Sequence, residues 1–187
     1  KIFQNKKKGF YLDIGAYHPL KINNTYLLYK KGWNGINIDV SSFSIDLFNF
    51  LRPKDLNYQC AVSNKNQNVN LYHHKDHSAL SSTHQKTAKN FMSGNLKKKK
   101  IKAYSLNTIL SWSKYSNQEI DFLDIDVEGA DFKVLKGLNF SKFKPKLICI
   151  EVHKKNYKEN LTYKFLIKKN YNLIWKNRFS FLFKIKD

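Results

Sequence analysis

Acidic residues end two apolar segments near the start of the chain. The run Phe10–Leu12 is followed by Asp13, and two positions later by Gly15, while the run Gly35–Ile38 is followed by Asp39. In an open α/β sheet, ligands bind beyond the carboxyl ends of the strands. A carboxylate at such a place can bind hydroxyl groups or a positive charge. The two acids therefore predict a site for a ligand of one of these kinds.

The separation between Gly15 and Asp39 is close to the roughly 20-residue spacing of nucleotide-binding βαβ units. An acid at the end of the second strand of such a unit can accept hydrogen bonds from both hydroxyls of a ribose. Gly15 begins neither a G-x-G-x-x-G pattern nor a phosphate-binding loop that ends in G-K-[ST], which disfavours a pyrophosphate ligand. The alternative for Asp39 is structural, because an acid there would stabilise the N-terminus of a helix over Ser41–Leu51.

A second group of acids lies in the segment DFLDIDVEGADFKVL, residues 121–135. Asp124 and Asp126 alternate with apolar residues, so they share one side of the predicted strand, and Glu128 follows in the turn. Such carboxylates repel each other unless a cation, a base role or hydrogen bonds offset the repulsion. The next strand ends with Glu151 and His153. Together these residues predict a catalytic or metal-binding edge; taken singly, Glu128 fits a helix start and His153 an exposed loop.

The elements that would position these residues alternate between strands and helices. Apolar runs predict strands at 10–14, 35–40, 58–62, 101–104, 120–126 and 147–152, an accessory strand at 68–74 and a hairpin over 171–186. Helical patterns cover 24–31, 42–51, 106–112, 130–136 and 157–168. The polar segment 75–100 predicts irregular structure, with Lys97–Lys100 in a solvated loop. The fold class is thus α/β, a single domain over 1–187 with a doubly wound, mainly parallel sheet and a C-terminal antiparallel hairpin.

The formal charge of the chain is +20, and lysine supplies nearly all of the excess. Such a charge attracts nucleic acid, anionic lipid or anionic glycan. Arginine, the preferred residue for bidentate phosphate or guanine contacts, occurs only as Arg52 and Arg178, which disfavours sequence-specific nucleic-acid binding. No apolar stretch approaches the roughly 20 residues that span a membrane. Cys60 and Cys149 are expected to be buried free thiols, which fits a reducing cytoplasm.

Four segments of the chain resemble the FkbM family of S-adenosylmethionine-dependent methyltransferases, which belong to the class I, Rossmann-like group. They are FYLDIGAYHPLKINNTYLLYKKGWNGINIDV (10–40), CAVSN (60–64), DFLDIDVEGADFKVLKGL (121–138) and LICIEVH (147–153). The resemblance implies a seven-stranded sheet and S-adenosylmethionine as the cofactor. Two positions depart from the commoner family pattern: Tyr17-His18-Pro19 replaces Asn and Gly, and Val40-Ser41 replaces the Pro that usually follows the second acid.

The resemblance also implies which residues bind the cofactor. Asp13 and Gly15 would lie under the methionine part, Asp39 would take the ribose hydroxyls, and Ala61 and Val62 would lie beside the adenine. The full set implied in this way is Asp13, Gly15, Ala16, Thr25, Asp39, Val40, Ala61, Val62 and Asp126.

The implied activity is O-methylation of a hydroxyl on a sugar or glycan. His153 is the first candidate for the base that takes the hydroxyl proton, and Asp126 is the second. Glu128 and Glu151 would orient the acceptor or hold a divalent ion. If a divalent cation such as Mg²⁺ takes part, its predicted ligands are Asp126, Glu128 and Glu151. Two alternatives stay open: an RNA-directed ribose methyltransferase, prompted by the charge, and a noncatalytic module that binds nucleotides or polyanions.

Overall fold

Two β-sheets flanked by helices form the part of the chain that the computed structural model describes, which is residues 2–73, 81–91, 95–152 and 156–186. The strands are β1 (Phe10–Ile14), β2 (Asn34–Asp39), β3 (Leu56–Gln59), β4 (Ala61–Ser63), β5 (Gln67–His73), β6 (Ser81–Ser82), β7 (Lys97–Ser105), β8 (Phe122–Ile125), β9 (Leu147–Glu151), β10 (Tyr171–Lys176) and β11 (Ser180–Ile185). The helices are α1 (Tyr26–Lys30), α2 (Ser42–Leu51), α3 (Gln85–Phe91), α4 (Leu106–Trp112), α5 (Asp131–Leu135) and α6 (Leu161–Lys168), with a 3₁₀ turn at Tyr157–Glu159. None of the helices in these residues has the length and apolar character that crossing a membrane requires.

The larger sheet contains seven strands in the order β10-β11-β9-β8-β1-β2-β3. The strands from β9 to β3 pair in parallel, whereas β11 is antiparallel to both β9 and β10. The expected α/β class and the closing antiparallel hairpin are therefore confirmed, and the sheet as a whole is mixed because β11 is antiparallel to its neighbours. The chain passes from β1 to β2 on one side, while β8 lies on the other side of β1. The strand order reverses between β1 and β8, which is where an open α/β sheet forms its ligand crevice.

The predicted strand over 58–62 is wrong, because this segment is two strands that belong to different sheets. β3 ends at Gln59, and the backbone N–H of Cys60 donates to the carbonyl oxygen of Asp39 at 3.1 Å. β4 then begins at Ala61 and pairs with β7 of the smaller sheet. A continuous run of strand-forming residues carries no signal for this change of partner.

The smaller sheet has the order β4-β7-β5-β6, and sequence patterns predicted only parts of it. The solvated loop predicted at Lys97–Lys100 is wrong, because these residues form the first half of β7. They pair antiparallel with β5, so that Lys97 lies opposite His73 and Lys99 opposite Leu71. The backbone pairing with β5 outweighs the low strand propensity of lysine, and the lysine side chains stay exposed. β6 and α3 likewise lie within the segment 75–100, which was expected to be irregular.

Apolar side chains on both faces of the larger sheet form the core. Leu12, Ile14 and Ile38 belong to the larger cluster, together with apolar residues of α4, α5 and α6. Tyr11 and Trp33 belong to a smaller cluster on the opposite face. Burial on both faces is typical of parallel strands covered by helices. It holds the carboxyl ends of β1, β2 and β8 in fixed relative positions, and these ends carry the polar residues described next.

Candidate functional site

Gly15 directly follows β1 and lies between the ends of β2 and β8. Its φ is +83°, and its backbone N–H donates to the carbonyl oxygen of Ile38 at 2.9 Å. A Cβ atom at this position would lie 1.8 Å from the carbonyl oxygen of Asp126. Glycine alone satisfies both the positive φ and this close approach. The chain can therefore turn sharply out of β1 and leave space above the strand ends.

A cavity opens above these strand ends. The predicted cofactor residues that line it are Gly15, Asp39, Val40, Ala61, Val62 and Asp126. The other lining residues are Ile14, Tyr17, Ile38, Cys60, Leu71, Ser81, Thr83, Val127 and Glu128. Three predicted residues, Asp13, Ala16 and Thr25, are buried and do not line it. The smaller sheet supplies one wall of the cavity through Leu71 of β5 and Ser81 of β6.

Asp39 is fixed at the cavity by two backbone amides. The N–H of Tyr17 donates to its Oδ2 at 2.9 Å, and the N–H of Ser41 donates to its Oδ1 at 2.8 Å. A carboxylate oxygen can accept more than one hydrogen bond, so each oxygen retains capacity for a ligand hydroxyl. Burial raises the pKa of Asp39, and the backbone hydrogen bonds oppose that rise. The N-cap of α2 is Ser41, whose hydroxyl accepts from the N–H of Ser44 at 3.3 Å, so Asp39 is not the capping residue.

Asp13 is held by the segment that leads into α1. Its Oδ2 accepts hydrogen bonds from Thr25 Oγ1 at 2.6 Å and from Asn23 Nδ2 at 2.9 Å. Burial raises the pKa of Asp13, while these hydrogen bonds lower it. The predicted contact of Asp13 and Thr25 with a cofactor stays a prediction. Their mutual hydrogen bond has a structural consequence of its own, because it fixes the loop that follows β1.

Asp124 lies beside Asp13 on the neighbouring strand β8 and is also buried. Burial raises its pKa well above the usual range, and the charge of Asp13 raises it further. The Asn24 amide opposes this rise by donating to the two Asp124 oxygens at 3.0 and 3.2 Å. Asp126, by contrast, is exposed. The two acids were expected to share one side of a strand, but β8 ends at Ile125, so the alternation does not extend to Asp126.

Asp126, Asp131 and Glu151 form a carboxylate cluster beside the cavity, with one oxygen of each within 4.8 Å of the others. Burial raises the pKa of Asp131 to about 7 and that of Glu151 to about 9, and the charge of Asp126 contributes to both rises. The oxygens of Asp131 accept from the backbone N–H groups of Val127 and Gly129, each at 3.0 Å. Asp131 therefore also fixes the turn between β8 and α5.

This cluster differs from the predicted metal-ligand set in one member. Asp131 lies beside Asp126 and Glu151, whereas Glu128 lines the cavity. Sequence reasoning missed Asp131, because an acid in the first turn of a helix is ordinarily explained by the helix dipole. The one sequence feature that could have indicated a role for Asp131 is its position, five residues after Asp126 and just beyond a turn that contains Gly129. His153, the first candidate base, lies outside the described residues, so its role stays a prediction.

Arg52 is a second residue that sequence reasoning did not assign to the site. It follows α2 and is fully buried. Its Nε donates to the carbonyl oxygen of Pro19 at 2.9 Å, and Nη2 also donates to that oxygen. Nη1 donates to Thr25 Oγ1 at 2.8 Å, and Nη2 donates to Asn23 Oδ1 at 2.7 Å. The guanidinium also lies 5.0 Å from the centre of the Phe48 ring.

These contacts make Arg52 the anchor of the loop after β1. The loop includes Tyr17-His18-Pro19. Within it, His18 Nδ1 accepts from the backbone N–H groups of Leu20 and Lys21 at 3.1 and 3.2 Å. The only sequence signal for this role was the rarity of arginine in a lysine-rich chain. A planar guanidinium can bind several acceptors at once, which a lysine ammonium cannot do in the same geometry.

Comparisons with known proteins agree with this architecture. A family model described as Methyltransferase FkbM domain matches residues 13–181. A crystal structure of Methyltransferase FkbM from Methylobacillus flagellatus KT has 14% sequence identity to this chain and a TM-score of 0.60. The alignment covers 95% of this chain and 44% of that chain, so this chain spans less than half of that protein's length. At this identity the likeness concerns the fold alone. No curated protein matches this chain.

Replacing Arg52 by methionine should lower the free energy of unfolding by about 3 kcal/mol, because the Pro19 carbonyl and the Asn23 and Thr25 oxygens lose a buried charged donor. Arg178→Met is the matched control, since Arg178 is exposed on the hairpin and its loss should cost less than about 0.5 kcal/mol. Urea unfolding of both variants provides the measurement. Equal losses in the two variants would show that Arg52 does not anchor the loop.

Proposed function

Because this chain belongs to the FkbM methyltransferase family, we propose that it transfers a methyl group from S-adenosylmethionine to a hydroxyl oxygen of a saccharide. The observation that carries the proposal is the position of Asp39 in the cavity. Asp39 ends β2, the strand next to β1, close to the place between β1 and β8 where the strand order reverses. Two backbone amides hold its carboxylate in one orientation. An acid at this place in a nucleotide-binding βαβ unit accepts hydrogen bonds from ribose hydroxyls.

The walls of the cavity fit the remaining parts of this cofactor. Ile38, Val62 and Leu71 offer apolar surface that suits an adenine ring. Asp126 and Glu128 also line the cavity and suit the positive charges of the amino acid part and the sulfonium. The chain lacks a phosphate-binding glycine pattern, which agrees with a nucleoside ligand that carries no phosphate.

The protein's task in this reaction is to position the acceptor and to remove its proton. S-adenosylmethionine supplies a methyl group that is already activated by the sulfonium. Residues around the cavity must align the acceptor oxygen with the bond that breaks, because alignment is a large part of the rate gain in such displacements. A base must take the hydroxyl proton as the new bond between oxygen and carbon forms. The carboxyl groups of Asp126 and Glu128, which line the cavity, would stabilise positive charge on the bound cofactor.

His153 is the proposed base, since a histidine titrates near neutral pH. It follows β9 by two positions, next in the chain to the carboxylate cluster. Asp126 is the second candidate, because it is exposed and lines the cavity. Glu151 is a poorer base at neutral pH, since burial raises its pKa to about 9 and keeps it protonated. A protonated Glu151 would instead donate a hydrogen bond, which suits its predicted role in orienting the acceptor.

A saccharide acceptor is supported by a second crevice next to the cluster. Its lining includes Asp131, Phe132, Glu151, Glu159, Asn160 and Thr162. Carboxylates and amides bind sugar hydroxyls, and an aromatic ring packs on the apolar face of a sugar. The carboxylate cluster lies between this crevice and the cavity, because Asp126 lines the cavity while Asp131 and Glu151 line the crevice. An acceptor in the crevice would therefore present its hydroxyl toward the cofactor.

The two alternative functions, a noncatalytic binding module and an RNA methyltransferase, predict different results in a methyl-transfer assay. A noncatalytic module would bind S-adenosylmethionine without transferring its methyl group to any member of a panel of sugars, glycans and RNA. A ribose-directed RNA enzyme would methylate only the RNA. Mg²⁺ also stays a prediction for the carboxylate cluster, and the same turnover assay with and without a chelator decides it.

Replacing Asp39 by asparagine should weaken S-adenosylmethionine binding by at least about tenfold, because the ribose hydroxyls lose a charged acceptor. Calorimetry measures this affinity directly. Asp46→Asn is the matched control: Asp46 is exposed on α2, and the change removes the same charge. Its affinity should stay within about twofold of the wild type. Unchanged affinity in the Asp39 variant would refute the ribose placement.

Replacing His153 by alanine should lower turnover by about 100-fold, the lower end of what a general base contributes. Affinity for S-adenosylmethionine should stay within about twofold, because the proposed base contacts the acceptor rather than the ribose or adenine. Methyl transfer from labelled cofactor to the active member of the saccharide panel gives the rate, and calorimetry gives the affinity. Full activity in this variant would move the base role to Asp126 or to water.

A further inference from the structure

The first half of β7 presents a dense row of exposed lysines. We name Lys97, Lys98, Lys99, Lys100 and Lys102 the lysine edge, and all five are exposed. β4 pairs with β7 only at Ala103–Ser105. Among the described residues, the stretch 97–102 therefore has a strand partner on one side only, namely β5. The lysine edge is thus a free sheet edge that carries five positive charges.

No nearby acid offsets this charge within the described residues. The lysines of the edge form no ion pair with a carboxylate in this part of the structure. In the sequence, residues 56–118 contain ten lysines and a single acid, Asp76. Lysines on a free edge also prevent edge-to-edge pairing with another sheet. Five in six positions create a positive potential that attracts a polyanion.

The residues next to the lysines indicate which polyanion fits. Lys98, Lys100 and Lys102 share one face of the sheet with their direct partners on β5, which are Tyr72, Asn70 and Asn68 respectively. Asparagine amides both donate to and accept from hydroxyl groups. This face therefore combines ammonium groups, which bind carboxylates, with amide groups, which bind sugar hydroxyls.

Nucleic acid and anionic membranes fit the same surface less well. Single-stranded nucleic acid is bound largely by stacking of its bases on exposed aromatic rings. The rings on this sheet, Tyr72 and Tyr104, are both partly buried, and neither arginine of the chain lies on it. Membrane surfaces are bound by basic residues together with apolar side chains that insert. None of the large exposed hydrophobic residues of the described chain lies on β5, β6 or β7.

The lysine edge is also continuous with the proposed cofactor cavity. Lys99 lies directly opposite Leu71 on β5, and Leu71 lines the cavity. Directly opposed residues of antiparallel strands have Cα atoms about 5 Å apart. Lys97 and Lys99 share a face of the sheet with Leu71, whereas Lys98, Lys100 and Lys102 lie on the opposite face. A sugar chain that binds to Lys98, Lys100 and Lys102 and crosses the free edge of β7 would therefore reach the face that carries the cavity wall.

From this arrangement we infer that the lysine edge binds an anionic polysaccharide, a sugar chain that carries carboxylate groups, and holds it as the acceptor. The identity of the acceptor rests on the proposed function, whereas the binding surface itself does not. Binding energy from a remote part of a substrate can be used to position the reacting group. The anionic groups would engage the lysines, and one sugar hydroxyl would reach the carboxylate cluster.

Fluorescence anisotropy with labelled oligogalacturonate tests the inference, and neutral oligomaltose of equal length serves as the control ligand. Replacing Lys98, Lys100 and Lys102 by glutamine should weaken oligogalacturonate binding at least about tenfold and reduce its dependence on salt, because fewer counterions are released. The matched variant replaces three exposed lysines on or next to α6 by glutamine and so removes the same charge; these are Lys164, Lys168 and Lys169. Its binding should change less than about twofold.

Three results would overturn the inference. Equal weakening in the two triple variants would show that overall charge alone attracts the polymer. Binding of oligomaltose equal to that of oligogalacturonate would exclude a role for the anionic groups. Tighter, edge-dependent binding of polyuridylate or of phosphatidylserine vesicles would assign the surface to nucleic acid or membrane. Calorimetry with S-adenosylmethionine on the same variants separates this inference from the proposed function: oligogalacturonate binding without cofactor binding would refute the function and leave the surface standing.

Discussion

The close approach of Gly15 to the carbonyl oxygen of Asp126 is the constraint on which the rest of the site depends. A Cβ atom at residue 15 would lie 1.8 Å from that oxygen, so the turn out of β1 can be built only with glycine. This contact between Gly15 and Asp126 brings the ends of β1 and β8 together, at the place where the strand order of the sheet reverses. The same turn places Tyr17 so that its N–H reaches Asp39. A single close backbone contact thus shapes both sides of the cavity.

A buried polar network supports this turn from behind. Arg52, Asn23, Thr25 and Asp13 form one connected set of hydrogen bonds between the loop after β1, the end of α2 and the sheet. Polar groups that are buried together specify one arrangement when every member finds a partner. The charge of Arg52 also opposes the rise that burial causes in the pKa of Asp13. Arg52 therefore holds the loop after β1 in position.

Local patterns predicted the larger sheet and most positions at its edge. Gly15, Asp39 and Asp126 each follow an apolar strand of that sheet closely in the chain, so the sequence alone predicts that they lie in one crevice. What the sequence could not reveal were contacts between distant segments. Arg52 is fixed by acceptors about 30 residues earlier in the chain, and the lysine-rich start of β7 is a strand because β5 pairs with it. Lysine-rich segments carry little strand propensity of their own, so that pairing left no local signal.

The central proposal is that a cofactor binds above the ends of β1 and β2. A crystal structure of this chain with S-adenosylhomocysteine, the product form of the proposed cofactor, tests it most directly. We expect both ribose hydroxyls to lie within hydrogen-bond distance of the Asp39 carboxylate and the adenine to pack against Ala61 and Val62. A ribose bound away from Asp39, or a nucleoside bound outside this cavity, would contradict it.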